Sequence, residues 1–233
     1  MTGPQSLEAS SSPENPQTPA AGHAMNGAAP GAPSRAANRA AARPRRRTST
    51  DLALIAGFAA FIAACSVLAI PVGPAPITLQ TFAVLLAGAA LGATRGGLAV
   101  LLYLALGAIG LPVFAGGSAG LAPFVGPTAG YLIGMPLAAW ATGFVVERLP
   151  ARSVPLTTML TLVTAFIANA VLIYGLGLLG LTLLAGMTVE AAALLTLTFV
   201  PLDVAKITLA AIVAAAVHRA FPDLLPRRRR HPA

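Results

Sequence analysis

Leu52-Ala53-Leu54-Ile55-Ala56-Gly57-Phe58-Ala59-Ala60-Phe61-Ile62-Ala63-Ala64-Cys65-Ser66-Val67-Leu68-Ala69-Ile70 runs without a charged side chain and with a single hydroxyl. A helix needs about 20 mostly apolar residues to cross the hydrocarbon layer of a bilayer, so this stretch reads as a membrane span. It is also longer than the ~7–15 residue core of a secretory signal, which favours an ordinary helix over the lipoprotein cleavage box that Ile62-Ala63-Ala64-Cys65 imitates. Outward from it, Pro, Gly and charge divide the chain into about six such stretches, near 52–70, 78–94, 96–114, 128–147, 156–182 and 201–219. Composition agrees, with 56% of residues hydrophobic, 9% charged and a mean hydropathy of +0.78. The expected fold is all-α, a polytopic membrane protein of about six transmembrane helices. Cys65 is the only cysteine, so the chain has no internal disulfide.

The formal net charge of +8 would suit nucleic acid in a soluble domain, but its placement argues against that partner. Residues 1–50 hold six Arg against two Glu and residues 223–233 hold four Arg against one Asp, while 51–222 is nearly neutral. Residues 1–50, mostly Ala, Pro, Ser, Gly and Arg, are expected to be a disordered basic tail, because so few large apolar side chains cannot offset the entropy of ordering. Residues 51–222 make the transmembrane domain, and 223–233 a basic C-terminal tail whose Arg227-Arg228-Arg229-Arg230 suits anionic membrane lipid. Arg95, Arg148 and Arg152 fall on the same side of a six-span arrangement as both tails, and the opposite connections 71–77, 115–127 and 183–200 contain no Lys or Arg. The positive-inside rule makes the charged side the cytoplasm, so both termini are expected there, in a cytoplasmic (inner) membrane.

The outward connections are rich in Gly and Pro, as in Pro71-Val72-Gly73-Pro74-Ala75-Pro76 and Phe114-Ala115-Gly116-Gly117-Ser118-Ala119-Gly120. Irregular backbone at membrane depth persists only where it is buried in protein or lines a cavity. Lys206, the only lysine, and Asp203 lie on the same side, in Pro201-Leu202-Asp203-Val204-Ala205-Lys206. Residues three apart on a helix are neighbours, and Pro201 suits a first helical turn, where the helix dipole favours the Asp203 carboxylate and not the Lys206 ammonium. The pair reads either as a self-neutralising couple snorkelling to the headgroups or as a polar clamp. A clamp of one acceptor and one donor group would hold a ligand bearing urea-like N–H groups and a carbonyl or acidic oxygen. Asn169 and Tyr174 in the fifth stretch are polar groups for bonding across helices or touching a ligand.

Three segments carry a family resemblance: Ile70-Pro71-Val72-Gly73-Pro74-Ala75-Pro76-Ile77-Thr78-Leu79-Gln80-Thr81, Gly110-Leu111-Pro112-Val113-Phe114-Ala115-Gly116-Gly117, and Gly126-Pro127-Thr128-Ala129-Gly130-Tyr131-Leu132-Ile133-Gly134. With Asp203-x-x-Lys206 they resemble BioY, the biotin-binding S component of energy-coupling factor (ECF) vitamin transporters, over about residues 52–219. The resemblance implies a vitamin-capture subunit, not an enzyme, with no cofactor and with loops 1 and 3 and the start of the last helix around biotin. It assigns Asp203 to a ureido N–H and Lys206 to a carbonyl or carboxylate oxygen, with Gly116, Gly117 and Ser118 bringing loop backbone to the ligand. Phe114 and Tyr131 would pack on its rings and Gln80 would supply an amide hydrogen bond. At Ser118 some family members carry a larger polar or charged residue, so the group meeting the biotin carboxylate is open.

The resemblance also implies partners: a transmembrane T component carrying two ATPases, with a solitary or dimeric carrier as the alternative. The chain has no G-x-x-x-x-G-K-[ST] phosphate loop of its own. Ala56, Ala60 and Ala64 form a small-residue stripe suited to docking on that partner or to packing within the chain. Another small vitamin is the nearest alternative ligand. A reading of a different class comes from Gly116-Gly117-Ser118-Ala119-Gly120, which matches the G-x-S-x-G elbow of serine hydrolases. His23, His218 and His231 are all placed far from Ser118 in the six-span arrangement, leaving Lys206 as its base. A channel lacks support, since no continuous polar stripe lines the spans.

Overall fold

The computed structural model describes residues 35–71, 74–149 and 153–225, with side chains from Thr48 onward. By contacts the chain divides into Met1–Ala42 and Arg43–Ala233, and all that follows concerns the second unit. The helices are α1 (Arg35–Val67), of which the part from Arg43 belongs to this unit, α2 (Gln80–Leu91), α3 (Ala93–Ala108), a short α4 (Ala122–Val125), α5 (Ala129–Val146), α6 (Val154–Ala168), α7 (Gly175–Leu184) and α8 (Val189–Ala220). A two-strand hairpin, β1 (Ala69–Ile70) and β2 (Ile77–Thr78), joins α1 to α2, pairing Ala69 with Thr78 and Ile70 with Ile77. A π-helical turn over Asn169–Tyr174 links α6 to α7 without a break.

Four helical segments among the described residues are long and apolar enough to cross a membrane: Thr48–Val67, Ala129–Val146, Val154–Leu183 and Val189–Ala220. The shorter apolar helices α2 and α3 fill the interval between the first two of these. The chain is a helical, multi-pass membrane protein, as its composition predicts. The helix drawn from Arg35 takes in residues 35–50 of the segment expected to be a tail, while 1–34 and the cluster Arg227–Arg230 lie outside the described residues.

The last helix corrects the sequence reading. It begins at Val189, not at Pro201, and the Thr188 side chain caps it by accepting from the Ala191 N–H. Pro201 lies in its interior, so the expected outward connection 183–200 is largely helix. A proline is a strong stop signal in an isolated helix, but here the helix continues through it with neighbouring helices packed alongside.

α2 shows why the bundle closes. Every residue from Ala83 to Leu91 is buried, and it packs against α3, α5 and α8, so it is apolar all round because it has no lipid-facing side. Glycines set the distances. A Cβ on Gly88 would collide with the Ala139 backbone, one on Gly130 with the Leu176 carbonyl, and one on Gly134 with the Leu172 carbonyl and Ile173 Cα. Small residues at helix contacts let backbones approach, which is the main source of packing energy where lipid removes the hydrophobic drive.

One end of the bundle holds a cluster of charges. Arg95 pairs with Asp51 at 2.8 Å and donates to the Leu224 carbonyl at 2.6 Å, while Glu147 accepts from the Ala93 N–H at 2.9 Å and His218 bonds the Ala90 carbonyl. The first turns of α2 and α5 lie at the other end, which is where the cavity opens.

Gly134→Ala should lower the unfolding temperature in detergent by the equivalent of about 1–3 kcal/mol, the usual cost of overpacking a tight contact. Gly175→Ala, where an added Cβ meets nothing within 4 Å, should be neutral or slightly stabilising in the same thermal assay.

Candidate functional site

Asp203 and Lys206 share one face of α8, three residues apart, and both are buried, at 3% and 7% exposure. Lys206 Nζ donates to Asp203 Oδ1 at 2.8 Å and to the Thr78 carbonyl of β2 at 2.6 Å. Tyr174, in the π-helical turn, donates its hydroxyl to Asp203 Oδ2 at 2.7 Å. The pair is thus self-neutralising, as one reading of the sequence had it, yet it does not snorkel, because it is held inside the bundle by the hairpin and the π turn. The dipole argument for Asp203 also falls, since Asp203 lies well inside α8 and its charge is answered by Lys206 and Tyr174 instead.

Above the pair is a cleft whose empty space is about 680 Å³ with its open mouth included. The hairpin and the start of α2 supply one wall, the loop at Phe114–Ser118 and the first turns of α5 a second, and α8 with the π turn the floor. Of the residues singled out from sequence, Asp203, Lys206, Gln80, Phe114, Ser118 and Tyr131 all line it. Gly116 and Gly117 do not. They turn the loop instead, with φ of 66° and 77°, the left-handed region where a Cβ is strained. That turn is closed by Phe114 N–H to the Ser118 carbonyl at 3.0 Å and Gly117 N–H to the Phe114 carbonyl at 2.9 Å.

The turn drives Phe114 inward to 2% exposure, edge-on to Tyr103 and Phe124 at centroid distances of 5.5 and 5.6 Å. Its ring fills the space beside Gly107, where a Cβ would collide with it. Tyr131 is edge-on to Phe199 at 6.2 Å and its hydroxyl meets Thr196 Oγ1 at 3.1 Å, so it presents an apolar ring to the cavity with its polar end already bonded. Gln80 Nε2 donates to Tyr103 Oη at 2.8 Å.

The unused bonding capacity defines the chemistry. An ammonium has three hydrogens and Lys206 spends two on Asp203 and Thr78; each Asp203 oxygen accepts one bond and keeps a lone pair. A donor and an acceptor therefore stand side by side at the foot of apolar and aromatic walls. Lys206 is the only cation among the described lining residues, and Asp203 cancels it. Such a floor suits a neutral group with adjacent N–H and C=O.

Sequence reasoning underrated Tyr174 and did not use Thr78. A tyrosine inside an apolar span and a threonine two residues before Gln80 were the available signals, but the π turn that aims Tyr174 at Asp203 leaves no trace in spacing. Ser118 Oγ donates to the Ala115 carbonyl at 3.0 Å, and the Lys206 ammonium is directed at Asp203 and Thr78. The nucleophile–base contact of a serine hydrolase is not formed between them. Ala56, Ala60 and Ala64 are exposed on α1, turned away from the rest of the bundle.

The BioY family model matches residues 37–223. The biotin transporter BioY of Rhodobacter capsulatus is 46% identical over 186 residues, spanning 75% of this chain and 96% of its own length. That of Rhizobium etli is 42% identical over 186 residues, spanning 78% and 99% respectively. A crystal structure of the S-component for biotin from an ECF-type ABC transporter superposes with a TM-score of 0.71 at 26% identity, covering 78% of this chain and 98% of that one.

Removing one partner of a buried ion pair strands the other charge, at a cost of about 3–5 kcal/mol, whereas removing both does not. Asp203→Asn should therefore lower the ligand-free unfolding temperature more than the double variant Asp203→Asn/Lys206→Met does, measured by thermal unfolding of the purified protein.

Proposed function

The chain belongs to the BioY family, and on that premise we propose that its cavity captures biotin at the outer face of a cytoplasmic membrane, as the substrate-binding component of an ECF-type transporter. The observation that carries this reading is the floor of the cavity, a neutralised carboxylate–ammonium pair with one free donor and free acceptor sites under aromatic walls. Biotin presents the complement: a ureido ring with N–H groups beside a carbonyl, an apolar thiophane ring, and a valerate chain.

In this arrangement Asp203 accepts a ureido N–H and the third Lys206 hydrogen goes to the ureido carbonyl. Because Asp203 already cancels its charge, Lys206 is assigned the carbonyl and not the carboxylate. Tyr174 holds Asp203 in place, and Phe114 and Tyr131 enclose the rings. The valerate carboxylate stays at the open mouth, near Ser118 and water, since the described lining offers no second cation. Both termini and the Arg95/Glu147 end of the bundle are assigned to the cytoplasm by the positive-inside rule, which turns the cavity outward.

The exposed Ala56, Ala60 and Ala64 stripe is assigned to docking on a T component with its two ATPases. The same face would serve a second copy of the chain in a solitary or dimeric carrier. Copurification of an ATPase pair with the protein supports the first form, and a biotin-transporting preparation free of ATPase supports the second.

Purified protein should bind biotin saturably, with desthiobiotin competing and lipoate, which lacks the ureido group, competing at least about a hundredfold less well. Asp203→Asn and Lys206→Ala should each weaken biotin by at least tenfold in equilibrium binding, consistent with ~1.5–3 kcal/mol for hydrogen bonds to charged groups. Parent protein that fails to bind biotin refutes the function. Binding that survives both substitutions refutes the site alone. Biotin methyl ester should compete within about fivefold of biotin if the carboxylate sits at the mouth, since water replaces its contacts there at little cost.

A further inference from the structure

Tyr103 is fully buried in α3 and lies outside the cavity lining, yet it holds a hydrogen-bond partner on each of two other helices. Its hydroxyl accepts from Gln80 Nε2 of α2 at 2.8 Å and meets Ser66 Oγ of α1, also fully buried, at 2.9 Å. A phenol has one hydrogen, so with Gln80 donating to it, that hydrogen is free to serve Ser66. Gln80 is 4% exposed and lines the cavity, and its other amide atom, Oε1, lies 3.4 Å from the Thr78 hydroxyl that donates to it.

A carboxamide is nearly symmetric in shape and opposite in chemistry at its two ends, and its terminal torsion is soft. Which end faces a ligand is decided by what holds the other end, and the Tyr103 hydroxyl selects the nitrogen when its own hydrogen is spent on Ser66, leaving only lone pairs for Gln80. We propose that Tyr103 is a positioning residue for ligand binding, fixing the Gln80 amide so that its oxygen faces the cavity as an acceptor. The inference rests on the biotin reading above. It gives the ureido ring a second acceptor besides Asp203, which matters because that ring has two N–H groups and one carbonyl. Without the Tyr103 hydroxyl the amide is free to turn its nitrogen inward, where it offers a donor to a donor.

The same hydroxyl network extends to the floor. Thr78, whose hydroxyl also accepts from the Gln80 backbone N–H at 3.2 Å, lends its carbonyl to Lys206. Ser66, Tyr103, Gln80, Thr78, Lys206, Asp203 and Tyr174 are therefore joined in one chain of bonds across the bundle.

The test is equilibrium biotin binding by the full chain in lipid nanodiscs for the parent, Tyr103→Phe, Gln80→Leu and the double variant, with ligand-free thermal unfolding measured alongside. Tyr103→Phe keeps the ring that packs on Phe114 and should weaken biotin about tenfold. Because Tyr103 acts through Gln80, the double variant should bind no worse than Gln80→Leu alone. Ser66→Ala, which leaves the aromatic packing untouched, should weaken biotin about threefold and carries the same expectation if Tyr103→Phe does not yield folded protein. Unchanged affinity in Tyr103→Phe and Ser66→Ala, or losses that multiply in the double variant, overturns the positioning role while biotin capture stands. Absence of biotin binding by the parent overturns both.

Discussion

An ammonium inside a membrane protein persists only if its charge is cancelled and its hydrogens are largely used, and the architecture around Lys206 meets that condition. Asp203 cancels the charge from the same helix face, and the Thr78 carbonyl takes a second hydrogen. That carbonyl is available because β2 is short. Ile77 and Thr78 end a two-residue ladder, after which the chain turns into α2. Asp203 in turn needs a donor for its other oxygen, and the π turn supplies one by placing Tyr174 over α8. Three segments distant in sequence are thus tied at one point, and the cavity is the space they leave above it. A third hydrogen on Lys206 and one lone pair on each Asp203 oxygen are what remains for a ligand.

The walls depend on a different constraint. α2 is enclosed on all sides, which puts Gln80 at the cavity while the rest of the helix is packed to contact. Contact is possible because Gly88, Gly130 and Gly134 present bare backbone to their neighbours, and the α5–α7 approach brings Tyr131 close above Gly177. Tyr131 and Phe114 are held by edge-on aromatic contacts and, for Tyr131, a hydroxyl bond, so the aromatic walls are set before a ligand arrives. Preorganised walls save the entropy that mobile side chains would lose on binding.

Much of this was legible in the residues and some was not, for physical reasons. Apolar runs mark the helices that make this a multi-pass membrane protein, because lipid penalises charge and exposed backbone regardless of tertiary detail. Asp203 and Lys206 stood out because charge is rare there. Pro201 misled, since its rule describes an isolated helix and packing against neighbours overrode it. Gly116 and Gly117 were read as backbone approaching a ligand, whereas their positive φ serves to turn Phe114 inward. Nothing in sequence spacing encodes the π turn, so Tyr174 looked like one more polar residue in a span. Tyr103 and Ser66 were invisible because a buried hydroxyl becomes informative only when its partners are known.

The neutrality of the floor has a consequence for selectivity. A cavity holding an unpaired lysine would select for anions, and biotin would compete poorly with many small acids of the same length. Cancelling the charge internally removes that bias, and recognition then depends on the geometry of the unused donor and acceptors. Sites of that kind discriminate strongly against analogues that lack the matching groups, because the unmatched buried polar atoms are left without partners. They discriminate weakly between ligands that differ at the open mouth, where water substitutes for protein contacts at little cost. On the proposed site, the ion pair therefore does not need to open when the ligand binds, and its role would be to offer a rigid donor beside a rigid acceptor in a place where lipid would tolerate neither alone.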